Sequence, residues 1–182
     1  MEKTKQQFEA IIQNCNNLFS SKLKDYGASW RVMRPSSVTD QIFIKASRIR
    51  SIEEKGIQMI GDSIKAEFIG IVNYAAIALI QLEKGWSDAA SESTEEISQL
   101  HHHHLIQAME LMLKKNHDYG EAWRSMRVSS FTDIILTRIN RIKQIEDNDG
   151  ITGVSEGVES NFSDIINYAI FALIKSDENE EL

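Results

Sequence analysis

The sequence of 182 residues holds one cysteine (Cys15), one proline (Pro35) and nine glycines. A single thiol excludes an intramolecular disulfide and argues against a thiolate zinc centre. So little proline and glycine leaves too few turn residues for a loop-rich all-β protein. Basic residues are also in deficit: 20 Lys and Arg face 27 Asp and Glu, for a net charge of -7 and a pI near 5.3. That balance disfavours non-specific binding to nucleic acid or to an anionic membrane surface. The opening stretch "MEKTKQQFEAII" lacks the apolar run of a signal peptide. No uninterrupted apolar run reaches membrane-spanning length, because the longest, between Phe68 and Leu82, is broken by Asn73 and Tyr74. With 42% hydrophobic and 26% charged residues, the expectation is a globular cytoplasmic protein with no membrane partner.

What the chain has instead is an internal repeat. The string "KDYGASWRVMRPSSVTDQ" begins at Lys24, and "HDYGEAWRSMRVSSFTDI" begins at His117. With Asp25 aligned on Asp118, an offset of 93, residues 25–53 and 118–146 are identical at 16 of 29 positions. Chance gives about two. The offset then grows to 94 through an extra residue in the turn near 148–150, and 67–80 matches 161–174 at 8 of 14 positions. The pattern is a tandem duplication with copies of about 80 residues. The polar stretch "EKGWSDAASESTEEISQ" separates them, which divides the chain into a first repeat (1–84), a linker (85–99) and a second repeat (100–182). Each copy reads as three helices, roughly 4–24, 39–55 and 62–82 in the first and 100–117, 132–147 and 156–174 in the second. The predicted fold is all-α: two three-helix repeats packed as a pseudo-twofold bundle, since one unit of this size buries little alone.

Polar residues that interrupt the apolar pattern are the candidate site. On the second helix Ile42, Ala46 and Ile49 form a stripe whose next position, about 20° from Ile42, holds Glu53. The copy repeats this with Ile135, Ile139, Ile142 and Glu146. A carboxylate closing a buried stripe must be paired, protonated or metal-bound, unless the helix end frays into water. On the third helix Asn73 and Asn167 sit within apolar runs, with Gly70 and Asp164 three residues upstream and Glu67 and Asn161 six upstream. This polar seam is either a helix–helix hydrogen bond that fixes packing or a metal or substrate seam whose oxygens suit a hard cation such as Mg²⁺. In the repeated loop Gly27 and Gly120 are expected at positive φ. Asp40 and Asp133 follow Ser37 and Ser130 at capping-box spacing. Tyr26, Trp30, Arg31 and Arg34, with Tyr119, Trp123, Arg124 and Arg127, read as a phosphate clamp beside a stacking surface. Lys45 and Arg48, matched by Arg138 and Arg141, extend that positive patch. Salt bridging and loop packing are the alternatives. The run His101–His104 points in four directions on a helix and lacks a counterpart in the first copy, so it makes a poor metal site.

These strings, with "EFIGIVNYAAIALIQLE" after them, resemble the nucleotide modification associated domain 1 family over nearly all of both copies. That family is similar, more remotely, to the all-α nucleoside triphosphate pyrophosphohydrolases of the MazG and dimeric dUTPase type. The resemblance implies a MazG-like helical bundle that holds Mg²⁺ or Mn²⁺ through an E-x-x-E and an E-x-x-D motif and cleaves nucleotides between the α and β phosphates. Here the second helix lacks E-x-x-E, and each third helix keeps half of E-x-x-D: Glu67 without the aspartate, and Asp164 without the glutamate. Two functions follow. One is a pyrophosphohydrolase of standard or modified nucleotides, with Glu53, Glu67, Glu146 and Asp164 as metal ligands and Glu53 and Glu146 as catalytic groups. The other is a non-catalytic nucleotide-binding or modification accessory module that keeps the Trp/Arg surface. The partner is a small-molecule nucleotide in both. The pseudo-dimer is intramolecular, and whether it pairs again is open.

Overall fold

A computed structural model describes residues 1–180 apart from 60, 62, 90 and 155. The described chain is α1 (Glu2–Tyr26), α2 (Pro35–Lys55), α3 (Ile64–Lys84), α4 (Thr94–Tyr119), α5 (Val128–Asp147) and α6 (Val158–Glu180). Short 3₁₀ turns at Ser29–Val32 and Ala122–Ser125 lead into α2 and α5, and there is no strand among the described residues. The architecture is all-α with three helices per repeat. Asp62, the expected start of the third helix, and residue 182, the expected end of the second repeat, lie outside the described residues.

Several helices begin earlier than the sequence pattern predicts, for identifiable reasons. Pro35 is the first residue of α2, where its fixed φ fits the helix and its missing N–H costs nothing. Arg34 and Arg127 occupy the N-cap positions in extended conformation, without a side-chain capping bond. The expected capping boxes therefore do not form: Ser37 and Ser130 lie inside the first turn. Asp40 instead meets Lys143 at 2.8 Å, and Asp133 meets Arg50 at 3.5 Å. α4 starts at Thr94, capped by the Ser93 hydroxyl, which accepts the Glu96 N–H at 3.1 Å, so residues 94–99 are helix rather than linker. Gly27 and Gly120 do hold positive φ, 65° and 59°, directly after α1 and α4.

The packing follows the repeat. α3 lies against α6, α2 against α5 and α1 against α4, while α2 packs on α3 and α5 on α6 within each copy. Every one of these pairings maps onto itself or its twin when the copies are exchanged, which is pseudo-twofold packing. α3 has, by length and composition alone, what a bilayer span requires, a property hidden when only its unbroken apolar run is counted. In the bundle 67% of its most apolar window is buried. Phe68, Ile71, Val72, Ala75, Ala76 and Ile80 of α3 are fully enclosed, as are Phe162, Ile165, Ile166 and Ala169 of α6.

The α2–α5 contact explains the carboxylates at the ends of the apolar stripes. Ile42, Ala46, Ile49, Ile135, Ile139 and Ile142 are all completely buried. At the ends of this seam the Thr132 hydroxyl donates to Glu53 at 3.0 Å and the Thr39 hydroxyl donates to Glu146 at 2.8 Å. Burial raises both carboxyl groups above their ordinary range, and the threonine hydrogen bonds oppose the rise. The exchange is isologous: each repeat offers a threonine at the start of its second helix and a glutamate at the end. Replacing Thr39 or Thr132 by Val is expected to cost about 1 kcal/mol each, and the pair about the sum, because the sites lie at opposite ends of the seam. Urea unfolding of the two single variants and the double variant measures this; no loss of stability would show that the carboxylates are held by solvent instead.

Candidate functional site

The repeated loop is anchored by side chains that fill its backbone. Gln81 of α3, buried, donates its amide to the carbonyls of Arg31 (3.1 Å) and Met33 (2.6 Å). Its counterpart in α6, Lys175, donates to the carbonyls of Arg124 (2.8 Å) and Met126. Neither residue stood out in the sequence, since a lone Gln or Lys near a helix end carries no pattern. Their alignment at an offset of 94 is the signal that could have found them.

This anchoring changes the reading of the loop's own side chains. Arg31 is only 3% exposed; its guanidinium donates to Gln81 and to the Gly85 carbonyl and pairs with Glu92 at 3.0 Å. Arg124 bonds Thr4 at 2.7 Å, Gln7 at 2.8 Å and Glu178 at 3.2 Å. Both arginines are occupied by protein, so the phosphate clamp expected from them is not present in this arrangement. The tryptophans are not stacking platforms either. Trp123 is stacked on Phe171 at 4.3 Å on one side and carries the Arg124 guanidinium at 4.3 Å, and Trp30 is buried against Phe19. Arg34 and Arg127 remain exposed at the starts of α2 and α5, and Arg141 is exposed beside a cavity of about 620 Å³ formed with residues 151–154.

Two other cavities occupy equivalent positions in the repeats. The first, about 430 Å³, is lined by Lys22, Tyr26, Trp30, Met33, Lys45, Glu67, Asn73 and Tyr74 among others. The second, about 290 Å³, is lined by the corresponding Lys115, Tyr119, Trp123, Met126, Arg138, Asn167 and Tyr168, together with Asp164, the counterpart of Gly70. Tyr26 and Tyr119 are 56% and 74% exposed and stand at the rims. Of the residues singled out in the sequence, Tyr26, Trp30, Lys45, Glu67 and Asn73 converge in one pocket, and Tyr119, Trp123, Arg138, Asp164 and Asn167 in the other. Lys22 and Lys115 were missed, because lysines near the end of a first helix look like ordinary surface charge.

Each pocket has one buried carboxylate held by two cations, but one helical turn apart. In the first repeat Glu67 takes Lys45 at 3.2 Å and Arg48 at 2.5 Å. In the second Asp164 takes Lys115 at 2.6 Å and Arg138 at 3.0 Å. Gly70 stands where Asp164 would be, and a Cβ there would meet the Lys45 side chain at 2.9 Å. The lysine stem thus fills the space vacated by the aspartate. The expected metal ligands do not converge. Glu53 and Glu146 face threonines across the repeat interface, Glu67 and Asp164 are neutralised by cations, and no cluster of three His, Cys, Asp or Glu occurs among the described residues. This donor set does not fit a resident Mg²⁺ or Mn²⁺.

The amides of the polar seam serve packing and line the pockets at once. Asn73 donates to the Cys15 carbonyl at 3.4 Å, and Asn167 donates to the equivalent Ala108 carbonyl at 3.0 Å. Asn73 Oδ1 also lies 3.0 Å from His101 Nε2, while His101 Nδ1 lies 2.8 Å from Asn16 Oδ1. The ring is stacked on Phe19 at 3.8 Å and fully buried, so one member of the histidine run is a core residue. Burial lowers its pKa to about 3, with His102 and His104 adding to the shift. It is therefore neutral and carries one N–H, which one of the two asparagine oxygens accepts. Burial also pushes the Cys15 thiol up to about 12, leaving it unreactive.

Against known families, the model of nucleotide modification associated domain 1 matches residues 22–82 and again residues 115–175. The chain belongs to this family. Both matched segments begin at the pocket lysines, Lys22 and Lys115, and end beyond the pocket floor, so each spans one cavity. No curated protein matches the chain, and no solved structure does.

The neutral histidine makes stability depend on pH. Its folded pKa is depressed, so its contribution is complete above the unfolded value near 6.5 and is lost as pH falls toward about 3. The slope is about 1.4 kcal/mol per pH unit below that point. Glu53 and Glu146, raised by burial, act in the opposite sense and become less destabilising as falling pH protonates them. Urea midpoints between about pH 7.5 and 5.5 should fall for the wild type and stay flatter for His101→Phe, the residue that the first repeat carries at Phe8; equal slopes would mean that His101 is protonated in the fold.

Proposed function

We propose that this protein is a nucleotide-binding module with one pocket in each repeat. The observation that carries the reading is the recurrence of one cavity in both copies, with the same order of lysine, tyrosine, tryptophan, methionine, basic residue and asparagine around it. In each pocket two basic side chains meet a buried carboxylate, so cationic groups border the cavity in a chain that is acidic overall. Such side chains are the groups a phosphate at the rim would meet. The exposed tyrosines, rather than the enclosed tryptophans, are the aromatic faces available to a base. The family's association with nucleotide modification supports the ligand class.

The hydrolase reading needs carboxylates that gather around a metal, and here each is engaged elsewhere, so no hydrolytic step is derived. The test is equilibrium binding of nucleoside mono- and triphosphates, with pyrophosphate release followed in parallel with and without Mg²⁺ or Mn²⁺. Expected are binding without turnover and a loss of affinity of about tenfold for Lys45→Ala combined with Arg138→Ala, as one charge-assisted contact is removed per pocket. Metal-dependent pyrophosphate release that disappears in Glu53→Gln with Glu146→Gln would overturn the proposal in favour of a pyrophosphohydrolase.

A further inference from the structure

The two pockets are equivalent in position but not in size or in the state of their cations. The first is the larger, about 430 Å³ against about 290 Å³. In the second, Phe171 of α6 lies stacked on Trp123 and forms part of the wall. Its counterpart in α3, at an offset of 94, is Ile77, which has no ring to lay there. The first pocket is also the more apolar on its first helix: Phe19 and Leu23 of α1 stand where α4 has Met112 and Asn116. The cations differ more sharply. Asp164 takes Lys115 at 2.6 Å and Arg138 at 3.0 Å, so both cations of the second pocket are committed to one carboxylate. In the first, Gly70 replaces that aspartate, and the carboxylate one turn earlier, Glu67, draws Lys45 and Arg48 from α2 instead. Lys22, the counterpart of Lys115, is left exposed in the pocket wall and forms no ion pair among the described residues.

We infer that the first repeat's pocket is the high-affinity nucleotide site of the chain, with Lys22 as its phosphate contact. The inference rests on the proposed nucleotide-binding function and adds which copy binds tightly and through which cation. Small-molecule sites start at about 300 Å³, so the first cavity lies inside that range and the second at its lower edge. Phe19, Lys22, Leu23 and Tyr26 recur at i, i+3, i+4 and i+7, which puts them on one face of α1. All four line the cavity. A planar base therefore meets apolar and aromatic side chains on that face, with Tyr26 exposed at the rim. Lys22 stands one helical turn from Tyr26, and its flexible stem brings the ammonium to a phosphate carried by the same ligand. A lysine with no carboxylate to give up binds that phosphate without first breaking an ion pair, whereas Lys115 must leave Asp164. The second pocket is thereby the weaker one: its cations are neutralised and a ring occupies its wall.

Calorimetric titration of the full chain with uridine, cytidine, adenosine and guanosine monophosphates tests this. Ribose 5-phosphate serves as the base-free control and the matching nucleosides as the phosphate-free control. Expected is one tight site per chain for at least one nucleotide, with both controls weaker by about tenfold or more. Lys22→Glu should lose about tenfold or more in affinity for the nucleotide and leave the nucleoside unaffected. Lys24→Glu makes the same change of charge on α1 outside the pocket and should shift affinity by less than about twofold, because an exposed charge there is screened. Ile77→Phe, which lays a ring in the wall as in the second copy, should weaken nucleotide and nucleoside alike. Ile77 is buried, so Lys22→Glu, at an exposed position, decides the matter if the phenylalanine variant unfolds. Two equal sites per chain, an affinity unmoved by Lys22→Glu, or an equal loss in Lys24→Glu would overturn the inference while leaving nucleotide binding intact. No binding of any monophosphate or triphosphate would sink the proposed function with it.

Discussion

The structure depends on the burial of α3 and α6 against one another. Both helices are apolar on nearly every side, and neither repeat can cover its own with two amphipathic partners alone. α2 and α1 shield part of α3, and α5 and α4 part of α6; much of the remaining surface is closed by the other copy. Hydrophobic burial is proportional to area and has no direction, so it explains why the copies associate but not why they do so in a single register. Register comes from the few polar groups placed at the edges of the apolar seams. The Thr39–Glu146 and Thr132–Glu53 hydrogen bonds fix the α2–α5 contact at both ends. Sliding the helices by one turn would leave two half-buried carboxylates without donors, a cost that far exceeds the net worth of the bonds themselves.

The same central pair sets the pocket floors, and there the charges show how the copies have diverged without losing balance. A carboxylate sits at the first position of the polar seam in α3 and at the second in α6. One cation is common to both copies, Lys45 and its counterpart Arg138, while the other differs: Arg48 in the first case and Lys115 in the second. A buried carboxylate with no cation would be strongly destabilising, so the two positions and their partners can only change together. Gly70 permits the change by making room for the Lys45 stem. Both arrangements pair the buried carboxylate with two basic side chains.

The repeat, the helix count, the buried isoleucine stripes and the positive φ of Gly27 and Gly120 were legible because each is a local or periodic property. Glu53 and Glu146 were legible as anomalies, since a carboxylate at the next position of a buried stripe needs a partner. Their partners were not, because Thr132 and Thr39 belong to the other repeat and nothing in the spacing along one chain shows which helix faces which. The loop was misread for a related reason. Arg31 and Arg124 beside Trp30 and Trp123 have the composition of a phosphate site, yet composition does not reveal that Glu92, Gln7 and Glu178 already occupy those guanidiniums, or that Phe171 covers the Trp123 ring. The serine–aspartate spacing resembles a capping box, but α2 and α5 start at Pro35 and Val128, two residues ahead of those serines.

His101 shows most clearly how a duplication can yield two different sites from one design. At its position the first repeat has Phe8, and both residues are completely buried. Exchanging phenylalanine for histidine at a buried helix position would ordinarily destabilise, because an imidazole needs a hydrogen-bond partner for each nitrogen. Here Asn73 and Asn16 supply both. α1 and α4 pack against each other across the pseudo-twofold axis, and the histidine of the second copy satisfies the asparagine of the first. The phenylalanine of the first copy cannot return the favour to Asn167. One substitution thus changes the polar state of both pockets relative to one another: it completes one hydrogen-bond network and leaves the other open. Symmetry of the backbone and asymmetry of the chemistry are compatible because the helices are held by the apolar seams and the threonine–glutamate bonds, none of which involve this position. The bundle can keep its register while its two cavities take on unequal roles.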